Sequence, residues 1–227
     1  MIYFAHRGAS GQRVQNTLPA FARARQLGAR CYELDVHLTQ DGFLTVHHDY
    51  DLSSTAGAAV EIKNVSLAQL KNYPLANPFD GRPVFVPQLQ DVLPLVEKDL
   101  QILNVEIKND GNRYPGIEQK LLAELAAYNP AILAKTLFSS FDYGTLVRVR
   151  ELSKNARIGQ LTRSFDVSEA LALKAESVHL NHTRFAPEIA RICHDNGLKV
   201  YLYTVNEKNL AEQLQRQGAD GIFTDHI

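Results

Sequence analysis

The chain has 227 residues, is 45% hydrophobic and 22% charged, and carries a formal net charge of −1. The near balance of 24 basic and 25 acidic residues argues against nucleic-acid binding, which usually requires a basic excess. A small anionic substrate is not excluded, because it needs only local positive charge. No apolar run is long enough for a membrane span and the first residues lack a signal-peptide pattern, so we expect a cytoplasmic protein.

Short apolar runs alternate with helical patterns along the whole chain. The predicted strands are 2–6, 32–36, 102–107, 136–141, 156–161, 177–181, 199–205 and 220–225. The predicted helices between them are 17–27, 116–128, 142–152, 166–174, 186–196 and 206–217. This alternation predicts an α/β fold with a parallel sheet, and the closest match is a (β/α)8 TIM barrel formed by residues 1–227 as a single domain. A doubly wound open sheet is the alternative, but "HRGASG" lacks the glycine spacing of a dinucleotide-binding turn.

One segment interrupts this rhythm after the second predicted strand. Residues 42–98 are too long for one crossover, and we predict that they form a small insertion on the barrel. Within it, 42–48 is expected to be extended, 66–73 helical, and 88–98 the helix that returns to the third strand. Outside this segment, the two cysteines, Cys31 and Cys193, are far apart and are expected to be buried, reduced thiols.

Polar side chains collect at the carboxyl ends of the predicted strands, where a TIM barrel has its active site. In "CYELDVHL" (31–38), Glu33 and Asp35 are two residues apart and therefore point to the same face of the strand. Glu106 and Lys108 share one face of the third strand in the same way. Three carboxylates from neighbouring strands can then converge on one point.

Such a cluster of like charges is costly unless it is compensated. A hard divalent cation, Mg²⁺ or Ca²⁺, prefers oxygen ligands and would compensate it, so Glu33, Asp35 and Glu106 are candidate metal ligands. The alternative is a salt-bridge network with Arg7 and Lys108. A metal ion beside these two cations would also bind a phosphate group, which indicates metal-assisted phosphoryl transfer or hydrolysis.

Histidine titrates near neutral pH, and His6 and His48 are the candidates for proton transfer because each ends an extended segment near the carboxylates. His47 should point away from His48, and His182 is left open. Structural roles are expected for the other histidines, which are His37, His179, His194 and His226.

Several motifs, in order from one end of the chain to the other, resemble the glycerophosphodiester phosphodiesterases. They are "HRGASG…NTLPAF" (6–21), "GARCYELDVHLTQDGFLTVHHD" (28–49), "VPQLQDVL" (86–93), "NVEIK" (104–108), "SSFD" (139–142), "YTVN" (203–206) and "GADGIFTD" (218–225). The resemblance implies a TIM barrel with an insertion after the second strand. It also implies hydrolysis of glycerophosphodiesters to sn-glycerol 3-phosphate and an alcohol.

Residue by residue, the resemblance implies that His6 and His48 are the catalytic histidines and that Arg7 and Lys108 hold the phosphate. Glu33, Asp35 and Glu106 match the family's metal ligands, for one Mg²⁺ or Ca²⁺ ion. The chain departs from the family at Gln15, where Glu is usual, and at Tyr203, where Trp is common in the substrate pocket.

Two other functions share part of this pattern. Sphingomyelinase D-like and lysophospholipase D-like enzymes have a similar arrangement of histidines and carboxylates but act on lipids. The second alternative is a barrel that binds glycerophosphodiesters without hydrolysing them, and such a barrel would not need His6 and His48 for proton transfer. Both alternatives are weaker on the sequence, because the predicted loops at the mouth are not notably apolar and both histidines are present.

Overall fold

The computed structural model describes residues 1–111 and 113–227. Within these residues the parallel strands are β1 (Ile2–Ala5), β2 (Cys31–Leu38), β6 (Ile102–Ile107), β7 (Thr136–Ser140), β8 (Arg157–Thr162), β9 (Ser177–Asn181), β10 (Lys199–Tyr203) and β11 (Gly221–Thr224). Each pairs with the next, and β1 pairs with both β11 and β2, which closes the sheet. The predicted TIM barrel is therefore confirmed, and the open doubly wound sheet is excluded.

Helices cover the outside of the barrel between successive strands. They are α1 (Leu18–Gln26), α4 (Leu89–Val96), α5 (Ile117–Tyr128), α6 (Pro130–Lys135), α7 (Tyr143–Leu152), α8 (Val167–Ala172), α9 (Pro187–Asp195) and α10 (Lys208–Arg216). Asp142 caps α7 and Asp166 caps α8, each accepting a backbone N–H of the first turn. The short helix α6 was not predicted from the sequence.

The predicted insertion lies between β2 and α4. Its elements are β3 (Leu44–Val46), β4 (Asp51–Leu52), α2 (Ser53–Ala56), β5 (Ala58–Glu61) and α3 (Leu67–Leu70). Strand β3 pairs antiparallel with β2, so it extends the barrel sheet locally. A small apolar cluster of its own, including Leu52, Ile62 and Leu70, supports the rest of the segment. The sequence predicted this insertion but not the β4–β5 hairpin.

Alternation along each strand separates two cores. On β2, Leu34 and Val36 are fully buried against the helices. The residues between them, Glu33 and Asp35, face the barrel interior, as the spacing predicted. Both cysteines are buried and free, in agreement with the prediction of reduced thiols.

Candidate active site

The three candidate metal ligands converge inside the barrel mouth. Asp35 on β2 is paired in register with Glu106 on β6, and Glu33 lies one pleat below Asp35 on the same face. One oxygen atom from each carboxylate lies within 4.8 Å of the other two, and all three side chains are buried. The predicted convergence of these carboxylates is therefore present in the structure.

Two cations and an amide surround the same carboxylates. Lys108 Nζ lies 2.6 Å from Glu106 Oε1 and 3.0 Å from Asp35 Oδ1. Arg7 Nε lies 3.4 Å from Asp35 Oδ2, and Asn16 Nδ2 donates a 2.7 Å hydrogen bond to the same oxygen. The salt-bridge network that was the alternative to a metal site thus exists for Asp35 and Glu106.

Glu33 is not part of that network. Its Oε2 accepts the backbone N–H of Arg7 at 2.9 Å, but in the described residues it forms no ion pair with a lysine or arginine side chain. Burial, followed by the nearby Asp35 carboxylate, raises the pKa of Glu33 well above its usual range. The protein's own cations therefore leave one carboxylate of the cluster uncompensated.

The pKa values of the three neighbouring charged groups, Asp35, Glu106 and Lys108, are shifted by both burial and their ion pairs. Burial alone would raise the pKa of Asp35, but Lys108 and Arg7 outweigh it and hold that pKa well below its usual value. Burial raises the pKa of Glu106 to about 7 although Lys108 opposes the shift. For Lys108, the attraction of Asp35 and Glu106 outweighs the lowering effect of burial, and its pKa is raised.

This donor set fits a hard divalent cation. A Ca²⁺ ion binds oxygen atoms at about 2.3–2.6 Å, so two of its ligands lie at most roughly 5 Å apart. The spacing within 4.8 Å places all three carboxylates in reach of one ion. In addition, Asp35 Oδ1 is buried, and its one polar contact among the described residues is Lys108 Nζ at 3.0 Å. Such a buried oxygen is available as a metal ligand.

His6 is held by the opposite end of the chain. His6 Nδ1 lies 2.8 Å from Asp225 Oδ1, so the imidazole donates to the carboxylate from this nitrogen. Ser10 Oγ donates to the same oxygen and Asn206 Nδ2 donates to Asp225 Oδ2, each at 2.7 Å. Burial would raise the pKa of Asp225, but these hydrogen bonds outweigh it and keep the carboxylate ionised. The arrangement fixes the orientation of the His6 ring and leaves Nε2 free to exchange a proton.

His48 has a similar local partner. Its Nδ1 lies 2.7 Å from Asp49 Oδ1, and Ser54 Oγ donates to the other oxygen of Asp49. Burial lowers the pKa of His48, as it does for His6. His47 turns away, as predicted, because its ring nitrogens contact the Asp49 carbonyl and Thr55 Oγ1.

A cavity of about 220 Å³ opens beside the carboxylates. His6, Arg7, Glu33, His48 and Glu106 line its polar side, and Tyr203 lies among its apolar walls with Phe141, Leu161 and Phe223. The hydroxyl of Tyr203 donates to the Thr162 carbonyl, which holds the ring against the cavity.

Lys108 is more enclosed than Arg7, the other cation predicted to hold the phosphate. It is only 8% exposed and lies between Asp35 and Glu106, whereas Arg7 lines the cavity directly. The spacing placed Lys108 on the correct face, and its contact with the phosphate stays a prediction. His182, which the sequence left open, contacts the Tyr203 carbonyl and does not line this cavity.

Asp225 and Asn16 were not predicted as site residues. The strand before Asp225 was predicted, but its contact with His6 spans 219 positions and follows from barrel closure between β1 and β11. The position of Asp225 directly after the eighth barrel strand is the signal that could have found it. Asn16 has a left-handed φ of 57°, which an isolated motif does not reveal.

Comparisons with known proteins agree with this geometry. The family model described as "Glycerophosphoryl diester phosphodiesterase family" matches residues 6–227. The chain belongs to this family. A glycerophosphodiester phosphodiesterase of Caldanaerobacter subterraneus subsp. tengcongensis is 35% identical, with 99% of this chain and 93% of the relative covered. One of Bacillus altitudinis is 33% identical, with 98% and 93% covered.

Solved structures show the same architecture. The structure of an Oleispira antarctica phosphodiesterase in complex with the product sn-glycerol-3-phosphate has a TM-score of 0.88 and 28% identity, covering 100% of this chain and 93% of the other. A glycerophosphodiester phosphodiesterase from Thermotoga maritima has a TM-score of 0.78 and 28% identity, covering 99% and 94%. The expectation of an enzyme from this family is confirmed.

In the part of the chain that the structure describes, no helix is both long and apolar enough to cross a bilayer. The cytoplasmic location stays a prediction.

Proposed function

We propose that this enzyme hydrolyses glycerophosphodiesters to sn-glycerol 3-phosphate and an alcohol, with the help of one divalent cation. The observation that carries the proposal is the buried cluster of Glu33, Asp35 and Glu106 beside two histidines in one cavity. Membership of the phosphodiesterase family supports the reaction class, and the product named in the Oleispira antarctica structure supports the product.

Each side chain has a role that follows from its position. Glu33, Asp35 and Glu106 would hold Mg²⁺ or Ca²⁺, which supplies Lewis-acid stabilisation of charge on a phosphate oxygen when bound. Arg7 lines the cavity and presents its guanidinium to the phosphate. Lys108 contacts both Asp35 and Glu106, so it orients these ligands and adds fixed positive charge that helps to attract the phosphate.

His6 and His48 move the protons. One takes a proton from the nucleophile, which is water or a neighbouring hydroxyl of the substrate, and the other donates one to the leaving alkoxide. Burial lowers the pKa of both rings, which favours the neutral form of a general base at neutral pH. Asp225 and Asp49 fix the ring orientations, so each Nε2 is directed rather than free to rotate.

Walls of the cavity fit the glycerol end of such a substrate. Phe141, Leu161 and Tyr203 enclose a space of about 220 Å³, enough for a three-carbon chain with its phosphate at the polar side. Tyr203 in place of the tryptophan common in this family leaves a smaller ring at that wall, and we assign it a role in substrate contact.

The test is release of sn-glycerol 3-phosphate from glycerophosphocholine by the purified protein, before and after metal removal with EDTA. We expect activity to be lost with EDTA and restored by Mg²⁺ or Ca²⁺. Glu33→Gln should weaken this restoration, whereas Glu212→Gln, which changes an exposed carboxylate on α10, should not. Full turnover in the stripped protein would contradict the metal requirement, and turnover of lysophosphatidylcholine alone would favour the lipid-directed alternative.

A further inference from the structure

A second cavity, which we call the outer groove, adjoins the first at His6 and Arg7. Its volume is about 510 Å³, more than twice that of the enclosed cavity, and it is lined by Arg13, Ser54, Thr55 and Phe79 as well as by those two residues. Residues 54–79 belong to the insertion, so the insertion forms one wall of the groove while the loop after β1 forms the other.

The two cavities offer separate places for the two ends of a phosphodiester. His6 and Arg7 line both cavities, so a phosphate held beside them has the enclosed cavity on one side and the outer groove on the other. A glycerol unit is small and constant among glycerophosphodiesters and matches the enclosed space. Alcohols of varying size require the larger one, which places the leaving alcohol in the outer groove.

Charge in the outer groove is positive. Arg13 is half-buried, and its Nη1 donates to the Gln12 carbonyl at 2.7 Å. No carboxylate forms an ion pair with Arg13 in the part of the chain that the structure describes, although Asp80 shares the adjacent cavity with it. The other N–H groups of Arg13 therefore remain available to a ligand.

Asp225 also lines the groove and offsets one of the two arginine charges, so Arg7, Arg13 and Asp225 together leave one net positive charge. The two oxygens of Asp225 accept hydrogen bonds from His6, Ser10 and Asn206, and neither forms an ion pair with Arg13. Gln15 also lines the groove and is neutral, and its Oε1 accepts a 2.6 Å hydrogen bond from Arg7 Nη1. Arg7 thus has a neutral partner on the groove side, while its Nε lies 3.4 Å from Asp35 Oδ2 on the other side.

We propose that the outer groove binds the alcohol end of the diester and that Arg13 makes it prefer an alcohol that carries an additional negative charge. Arg13 is then a specificity-determining residue, and a cationic head group such as choline is disfavoured at this position by like-charge repulsion. The proposal rests on the proposed function, because it assigns the two ends of the same substrate.

The experiment compares three diesters that share the glycerol phosphate unit. Glycerophosphoinositol and glycerophosphoinositol 4-phosphate differ by one phosphate, and glycerophosphocholine carries a cation. For the wild type we expect kcat/KM to be highest for the phosphorylated diester and lowest for glycerophosphocholine. Arg13→Gln should lower the ratio of kcat/KM for the two inositol diesters about two- to fivefold, the range for one partly exposed charge pair.

Matched variants distinguish this effect from a general loss of charge. Arg216→Gln removes the same charge from an exposed position at the end of α10 and should leave the ratio as in the wild type. Arg13→Lys should retain much of it. Higher salt should reduce the ratio in the wild type more than in Arg13→Gln. Equal kcat/KM for the two inositol diesters, or a ratio that Arg13→Gln does not change, would overturn the proposal.

Binding separates this proposal from the proposed function. Calorimetric titration of the His48→Ala variant with the intact diesters, in the presence of Mg²⁺, measures the groove without turnover. Tighter binding of the phosphorylated diester, lost on adding Arg13→Gln, supports the groove assignment even if the wild type hydrolyses none of the three. Equal affinities would overturn it even if the wild type hydrolyses all three.

Discussion

The two ends of the barrel interior differ in chemistry although the same strands build both. Phe4 on β1 faces the interior and His6 follows directly after the strand, whereas the interior residues of β6 are Ile102, Asn104 and Glu106. At the amino-terminal end, Phe4 stacks on Phe223 with ring centroids 4.7 Å apart, and Tyr201 lies 5.1 Å from Phe4. At the carboxyl end, charged groups face one another and a cavity.

The difference indicates that one end of each strand contributes to stability and the other end to catalysis. The apolar end excludes water and contributes stability through burial. The polar end places carboxylates and histidines where burial shifts their pKa values, which is costly for folding and useful for catalysis. Substitutions at the two ends should therefore fail in different assays: turnover at the carboxyl end, and the free energy of unfolding at the amino-terminal end.

The largest expected effect is on turnover at the carboxyl end. His6→Ala and His48→Ala should each lower kcat about 10²–10⁴-fold, because each removes a proton-transfer group. Melting temperatures should change little. His47→Ala is the control within the same segment, since His47 contacts the Asp49 carbonyl and Thr55 instead of the cavity. If His47 proved essential and His48 dispensable in steady-state kinetics, the assignment of His48 would be wrong.

Substitutions at the amino-terminal end of the barrel should have the largest effect on the free energy of unfolding. Phe4→Ala removes a fully buried ring from the interior stack and should lower the free energy of unfolding by about 3–5 kcal/mol. The folded fraction should keep a kcat near that of the wild type. Tyr3→Ala is the control on the opposite face of the strand, where Tyr3 is 45% exposed, and it should cost well under half as much. Urea denaturation of both variants measures the difference, and equal losses would contradict the division between the two ends.

Much of this arrangement could be predicted from the sequence, for a local reason. Side chains two residues apart on a strand share a face, so Glu33 with Asp35 and Glu106 with Lys108 were placed correctly relative to each other. Alternation of strands and helices gave the barrel, with β6 and β9 predicted to the residue and the remaining barrel strands to within two residues at each end.

The sequence did not reveal two kinds of feature: contacts that form only when the barrel closes, and how deeply a side chain is buried. The contact of His6 with Asp225 requires β11 to lie beside β1, which no local pattern encodes. The burial of Lys108 depends on how the site packs in three dimensions. The outer groove needs the insertion to fold back beside Arg13, and the hairpin that contributes to this wall has only two-residue and four-residue strands.

A smaller effect is expected on the pH dependence of stability. It comes from His179, which lies in the barrel interior between the two ends. Its Nε2 is 2.9 Å from Ser177 Oγ, and the rings of Tyr201 and Phe223 lie within 5.3 Å. Burial lowers the pKa of His179 to about 3 in the folded protein, from 6.5 in the unfolded chain. Between these values the unfolded chain binds the proton and the folded protein does not. Stability contributed by this group is therefore present above pH 6.5 and falls by about 1.4 kcal/mol per pH unit on acidification.

The test compares the wild type with His179→Gln by urea denaturation between pH 6.5 and pH 4.5. We expect the variant to have a shallower dependence of unfolding free energy on pH, whatever its absolute stability. Carboxylates elsewhere titrate in both proteins and cancel in the difference between the slopes. Identical slopes would mean that His179 is protonated in the folded barrel.

The smallest effect is expected at Gln15, where the family usually has Glu. Gln15 Oε1 accepts a hydrogen bond from Arg7 Nη1, and Arg7 Nε lies 3.4 Å from Asp35. Gln15→Glu would add a negative charge next to Arg7. Arg7 would then neutralise less of the charge on the carboxylate cluster. We therefore expect Mg²⁺ or Ca²⁺ to bind more tightly by about 1 kcal/mol or less, because charges near the surface interact weakly. Calorimetric titration of both forms with metal measures this difference, and kcat at saturating metal should change little since Gln15 moves no proton. Weaker metal binding, or a turnover gain of about a hundredfold (nearly 3 kcal/mol in the barrier), would mean that position 15 takes part in the reaction itself.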